Sequence, residues 1–102
     1  MGIDAFIETE NGTQIDQLSD PENLLGRLLP ASDDEISICL RFIDPYGDTT
    51  FNQGQIPILI KELKSAVQST NDSLAKNHGN KLIALIEKIE NEVHTYIKFY
   101  GD

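Results

Sequence analysis

Two short runs concentrate the side chains that could do chemistry. Arg41-Phe42-Ile43-Asp44-Pro45-Tyr46-Gly47-Asp48 brings together a guanidinium, two carboxylates and a phenol. His94-Thr95-Tyr96-Ile97-Lys98-Phe99-Tyr100 adds an imidazole, an ammonium and two phenols. If the second run lies beside the first, Asp44, Asp48 and His94 become candidates for proton transfer in a small enzyme, or for a ligand site. Each residue also has a simpler account. Asp44 at the first position of a turn accepts hydrogen bonds from the turn's own N–H groups. Arg41 can stack on Phe51 and pair with an acid. His94, one turn after Glu90, suits a helix C-terminus and an ion pair. The simpler accounts make Arg41, Asp44, Tyr46, Asp48, His94, Tyr96 and Tyr100 candidate binding residues, with no catalytic assignment. Asp44 and Asp48 are expected to face each other with Arg41 or Lys98 between them rather than a metal.

Motifs that carry a mechanism of their own are missing. The sequence has no phosphate loop, no glycine-rich dinucleotide fingerprint, no paired-histidine zinc helix and no nucleophile elbow. Cys39 is the one cysteine, so no internal disulfide and no cysteine-rich metal motif can form. No cofactor is expected.

The elements that would position these residues follow from periodicity and turn chemistry. Residues 3–8 alternate as a strand, and Asn11-Gly12 is a strong hairpin signal leading to a partner strand over 13–18. Ser19-Asp20-Pro21-Glu22 reads as a helix start, with Leu24, Leu25, Leu28 and Leu29 as its stripe and Pro30 as its stop. Residues 36–43 alternate, with Ile36, Ile38, Leu40 and Phe42 on one face. Asp44-Pro45-Tyr46-Gly47 is a type I turn, after which Gly47 takes φ > 0 and residues 48–51 return as the second strand of a hairpin. In that register Phe42 faces Thr50 and Arg41 faces Phe51.

Asn52 and Gln55 form a capping-box pair before a helix that runs to about Gln68, its first turn made irregular by Pro57. Its stripe is Ile56, Leu59, Ile60, Leu63, Ala66 and Val67, and Ile58, off the stripe, requires a second apolar neighbour. Asp72 or Ser73 caps further helix, with an apolar face running through Leu74, Leu82, Leu85, Ile86, Ile89 and Val93. Gly79 either divides this helix or weakens it. His94 to Tyr100 is the last strand, with Ile97 and Phe99 inward and Tyr96 and Tyr100 outward. The expected fold is a single α+β domain over residues 1–102, a mainly antiparallel sheet with helices on one face, in the order β-β-α-β-β-α-α-β.

Charge narrows the partners. The net charge is −9, and it lies wholly in residues 1–51, which carry eleven acids against Arg27 and Arg41; residues 52–102 balance six acids with six lysines. Nucleic acid and anionic membrane surfaces are therefore unfavourable partners, and a basic protein is a favourable one. Aromatic groups on both faces of the expected hairpin and last strand make a homodimer through the sheet the other expectation. The longest apolar run, Ile56 to Ile60, is far shorter than the ~20 residues that span a bilayer. With no basic leader followed by an apolar run, a cytoplasmic protein is expected.

Cys39-Leu40-Arg41-Phe42-Ile43-Asp44-Pro45-Tyr46-Gly47-Asp48-Thr49 with Phe51-Asn52, and the closing His94-Thr95-Tyr96-Ile97-Lys98-Phe99-Tyr100-Gly101-Asp102, resemble a family of small uncharacterised bacterial proteins. The resemblance implies a bacterial cytoplasmic domain and carries no activity, ligand or catalytic residue. The function expected from the sequence is a non-enzymatic protein-interaction module. An enzyme or ligand-binding protein using Asp44, Asp48 and His94, and a structural homodimer, are the alternatives.

Overall fold

A computed structural model describes residues 2–31 and 33–101. Four strands form one antiparallel sheet: β1 (Asp4–Thr9), β2 (Gln14–Leu18), β3 (Asp48–Phe51) and β4 (Thr95–Tyr100), in the spatial order β2-β1-β4-β3. Two helices, α1 (Ile56–Ser69) and α2 (Ser73–Glu87), pack on one face. The fold is the expected α+β class. Ala5 stands opposite Phe99, and Ile7 and Phe51 flank Ile97, so period-two alternation sends all five into the core between sheet and helices.

The turn chemistry explains most of the boundaries. Gly12 adopts φ 87° and closes the first hairpin by donating to the Thr9 carbonyl at 2.9 Å. Asn52 and Gln55 cap reciprocally: Asn52 N–H donates to Gln55 Oε1 at 2.9 Å and Gln55 N–H to Asn52 Oδ1 at 3.2 Å. Pro57 is accommodated in the first turn of α1, where no intrahelical donor is needed. The Asp72 carboxylate accepts from Leu74 and Ala75 N–H and starts α2. Gly79 does not break that helix. A Cβ there would lie 2.5 Å from Val67 Cγ2 and 2.9 Å from Leu28 Cδ1, so the glycine permits close packing of α1, α2 and the Leu25–Arg27 segment. Helix α2 ends at Glu87, which leaves Val93 exposed, as Leu74 is at the other end.

Two segments hold a different element from the one expected. The helix after Pro21 is a single 3₁₀ turn, Leu25–Arg27. Asn23 sits at φ 55°, in the left-handed region, and separates the capping Asp20 from any helix beginning at Pro21. The Asp20 carboxylate is fully buried and accepts from Leu24 N–H at 2.7 Å, Leu25 N–H at 3.0 Å and Ile3 N–H at 3.3 Å, with His78 Nε2 3.9 Å away. It ties the N-terminal strand to the turn beneath α2. The second departure is the strand expected over residues 36–43. It is a loop carrying a 3₁₀ turn at Leu40–Phe42, and β3 pairs with β4 instead.

Candidate functional site

The loss of that strand rearranges the candidate residues. The Asp44–Gly47 turn forms: Gly47 N–H donates to the Asp44 carbonyl at 3.4 Å, and Asp44 Oδ1 accepts from Tyr46 N–H at 2.9 Å. Gly47 is not at positive φ, which corrects the expected bulge; Gly12 is the one described glycine that is. The pairings of Asp44 with Asp48, Phe42 with Thr50 and Arg41 with Phe51 do not occur, because Asp48 and Phe51 stand opposite Tyr100 and Ile97. Asp44 N–H reaches Thr49 Oγ1 at 2.9 Å, and Gly101 N–H grips the turn at the Gly47 carbonyl, 2.7 Å away. Arg41 turns aside. Its guanidinium lies 4.6 Å from the centre of the Phe42 ring, and Nη1 donates to the Asp34 carbonyl at 2.9 Å.

Asp48, Tyr96 and Tyr100 share the sheet face that the helices leave open, with Asp48 opposite Tyr100 and Tyr96 four residues along β4. Tyr100 O–H donates to Glu8 Oε2 at 2.5 Å and Gln14 Nε2 donates to the same oxygen at 3.1 Å; Phe6 packs edge-on to Tyr100 at 5.1 Å. Lys98 sits 4.8 Å over the Tyr100 ring and 3.9 Å from Asp48; of the two cations expected near that acid, Arg41 and Lys98, it is Lys98 that lies there. Hydrogen bonding with Tyr100 raises the Lys98 pKa, burial opposes it, and the charges of Tyr100, Glu8 and Asp48 add to the rise. The face is knitted by its own bonds, and its aromatic side chains are half-buried rather than protruding.

His94 is elsewhere. It takes φ 63° ahead of β4 and pairs with Glu10 at 2.9 Å, not with Glu90. Its neighbour Thr95 stands opposite Thr9, while Asp48 stands opposite Tyr100. Five residue steps of strand separate those positions, roughly 16 Å. The structure therefore does not assemble Asp44, Asp48 and His94 into one constellation.

The most distinctive local arrangement centres on Glu62, a residue the sequence reading passed over. From the half-buried face of α1 its Oε1 accepts from Cys39 N–H at 2.9 Å, Leu40 N–H at 2.9 Å and Ser37 O–H at 3.2 Å, and its Oε2 accepts from Ile38 N–H at 2.6 Å. Ser37 Oγ in turn accepts from Arg41 N–H at 3.1 Å. Burial pushes the Glu62 carboxyl up, but these donors together outweigh it and hold the pKa below its ordinary value. Burial, then the nearby Glu62 charge, pushes the Cys39 thiol up.

This clasp diverts the donors a β-ladder would use and turns the chain at residues 39–40. The alternation breaks there: Ser37, Cys39, Leu40 and Ile43 are buried, while Ile36, Ile38 and Phe42 face out at 90%, 59% and 58% exposure. Tyr46, in the next turn, is 78% exposed, and Ile36 and Ile38 form an apolar ridge. Beside it a groove of about 620 Å³ runs between the loop and α1, floored by Leu28, Leu40 and Ile58 and walled by Ile36, Ile38 and Ala66. Ile58 thus finds the second apolar neighbourhood that its off-stripe position required. The signal in the sequence was an acid at position 62, between the stripe residues Leu59 and Leu63.

Comparison with family models, with curated proteins and with solved structures gives no match. Among the described residues no cluster of three or more His, Cys, Asp or Glu side chains could hold a metal, and no helix is long and apolar enough to cross a membrane.

Proposed function

We propose that the chain is a non-enzymatic protein-interaction module whose partner is a basic protein, acting in the reducing bacterial cytoplasm, which suits the free buried thiol of Cys39. One observation carries the reading: a loop bonded to Glu62 leaves Ile36 and Ile38 exposed together on the wall of one groove, with Phe42 exposed in the same loop. Large apolar groups gathered in this way mark interaction surfaces, whereas scattered ones do not. The acids Asp33, Asp34 and Glu35 adjoin the ridge, so a basic partner is drawn to it. Affinity capture from a lysate of the source organism, at low and high salt, compares the wild-type bait with Ile38→Asp/Phe42→Asp and with charge reversal at Asp33, Asp34 and Glu35. A basic protein retained by wild type and lost by both variants is the expected result. Identical retention by all three baits overturns the reading.

A homodimer through the open sheet face has one observation in its favour, the half-buried Phe6, Tyr96 and Tyr100 on that face, with Phe6 packed edge-on to Tyr100. Two copies at −9 each repel, which opposes it. Light scattering at rising concentration decides; a strict monomer removes this alternative, and a dimer dissociated by Tyr96→Asp establishes it.

A further inference from the structure

The groove between the 36–42 loop and α1 is built for an occupant whose backbone is already satisfied. An extended peptide binds by adding a strand, and for that it needs a row of free N–H and C=O groups. The loop has most of its N–H donors already bonded. Ile36 N–H is taken by Asp34 Oδ1, Ile38, Cys39 and Leu40 N–H by Glu62, and Arg41 N–H by Ser37 Oγ. Phe42 and Ile43 N–H donate to the carbonyls of Cys39 and Leu40 inside the 3₁₀ turn. The opposite wall is the side of an α-helix, whose backbone is bonded within itself. What remains is a trough of mainly apolar side chains, with Asp34, Lys61, Glu62 and Ser65 also in its lining.

The charge around the trough has a sign. Asp34 and Glu62 line the trough against Lys61, and Asp33 and Glu35 flank Asp34 in the chain. The guanidinium of Arg41 is committed to Phe42 and the Asp34 carbonyl. Glu62 lines the groove as a charged carboxylate, and Lys61 beside it is the one ammonium in the lining.

Resting on the interaction-module reading, we propose that this groove receives an amphipathic α-helix of the basic partner. The helix lays apolar residues at i, i+3, i+4 and i+7 against Ile36, Ile38 and Ile58, and directs Lys or Arg on its flanks toward the 33–35 acids. Its self-satisfied backbone needs nothing from the loop, and its cations meet the rim.

The test uses the full chain and a designed peptide of about 18 residues, long enough to form helix. The peptide carries Leu at i, i+3, i+4 and i+7 and Lys on the remaining face. Two controls have the same length: a scramble of identical composition, and a version with Glu in place of Lys. Binding is followed by fluorescence anisotropy and mapped by amide chemical shifts. The expected result is saturable binding that shifts amides in 36–42 and along α1, with the scramble and the Glu version about tenfold weaker or worse. Ile38→Asp on one wall and Ser65→Arg on the other should each weaken binding about tenfold, and more salt should weaken it further. Both positions are exposed, and a thermal melt of each variant confirms that it folds.

Equal binding of the scramble would reduce the effect to net charge and overturn the proposal. So would binding indifferent to both variants, tighter binding of the Glu version, no binding at all, or self-association abolished by Ile38→Asp, which would make a second copy the occupant. Failure here is distinguishable from failure of the broader reading. A captured basic partner that depends on Ile38 but contacts the ridge through an extended segment would keep the module and discard the helix.

Discussion

Replacing Glu62 by Gln tests the clasp that holds the apolar ridge in place. The amide oxygen can take the position of Oε1 and keep Ser37, Cys39 and Leu40. The NH₂ group then falls where Oε2 accepts from Ile38 N–H at 2.6 Å, donor against donor. A hydrogen bond to a charged group contributes about 1.5–3 kcal/mol, and water competes at exposed Ile38, so the expected loss is about 2 kcal/mol. Glu62→Ala strands the amides of two buried residues, Cys39 and Leu40, and should cost about 3 kcal/mol. Urea denaturation at neutral pH reads both values. The pH dependence has a definite sign. The folded-state pKa of Glu62 lies below the ordinary value of 4.5, so its stabilisation is complete above that value and is lost as pH falls through the folded one. Asp16 and Asp72 are also lowered, but they are common to wild type and variant and cancel in the difference. The gap between wild type and Glu62→Gln should therefore narrow on acidification. Amide exchange at Cys39 and Leu40 should accelerate in the variant while β1 and β4 stay protected. Unchanged stability and exchange, or a gap that widens toward acid, would refute the reasoning.

Asp20→Ala should destabilise by at least about 3 kcal/mol, because it orphans three N–H donors at a buried site, each worth about 1–3 kcal/mol; a urea midpoint within error of wild type would show that water replaces the carboxylate. Of Gly12, Gly47 and Gly101, Gly101→Ala should be costliest, since its Cβ would lie 2.4 Å from the Pro45 carbonyl carbon and the backbone must move. About 1–3 kcal/mol, or at least ~4 °C in Tm, is expected. Gly12→Ala, strained at φ 87° but in open space, should cost about 1 kcal/mol. Gly47→Ala should cost less, because its Cβ meets only the movable end of the Asp44 side chain. Melting curves that reverse this order would contradict the contacts.

Where local chemistry decides the structure, the sequence was a sufficient guide. Asn11-Gly12 makes its hairpin, Asn52 and Gln55 cap each other, Asp72 starts α2, and Ile97 and Phe99 point inward with Tyr96 and Tyr100 outward. Where a distant side chain decides, it was not. The alternation of Ile36, Ile38, Leu40 and Phe42 fits a strand in every local respect. A carboxylate more than twenty residues away captures its donors, and nothing within the segment announces that. The helix after Pro21 failed in a similar way: Asp20 caps Leu24 and Leu25 across a left-handed Asn23, and Pro30 leaves no room for a second start. Of the candidate residues, Asp48, Tyr96 and Tyr100 share a face because strand register could be read. Arg41 and His94 stand apart because their positions depend on the rearranged loop and on the end of α2.

The clasp and the ridge are two consequences of one choice. A strand over residues 36–43 would place Ile36, Ile38, Leu40 and Phe42 on one face, where a sheet could bury them together. Instead a buried-edge carboxylate is held ionised, at the cost of desolvation, in order to fix a turn that covers Leu40 and leaves Ile36, Ile38 and Phe42 in water. Burying such side chains is worth about 1.5–3 kcal/mol each, so leaving three of them out forgoes several kcal/mol. Hydrogen bonds to Glu62 offset part of that, but they stabilise the loop only in the form that exposes the ridge. Disordered apolar residues would be free to fold back; these are not, because the amides on either side of them are bonded. Apolar side chains carried on hydrogen-bonded backbone lose less conformational entropy on being covered than disordered ones would, which is what the proposed docking requires.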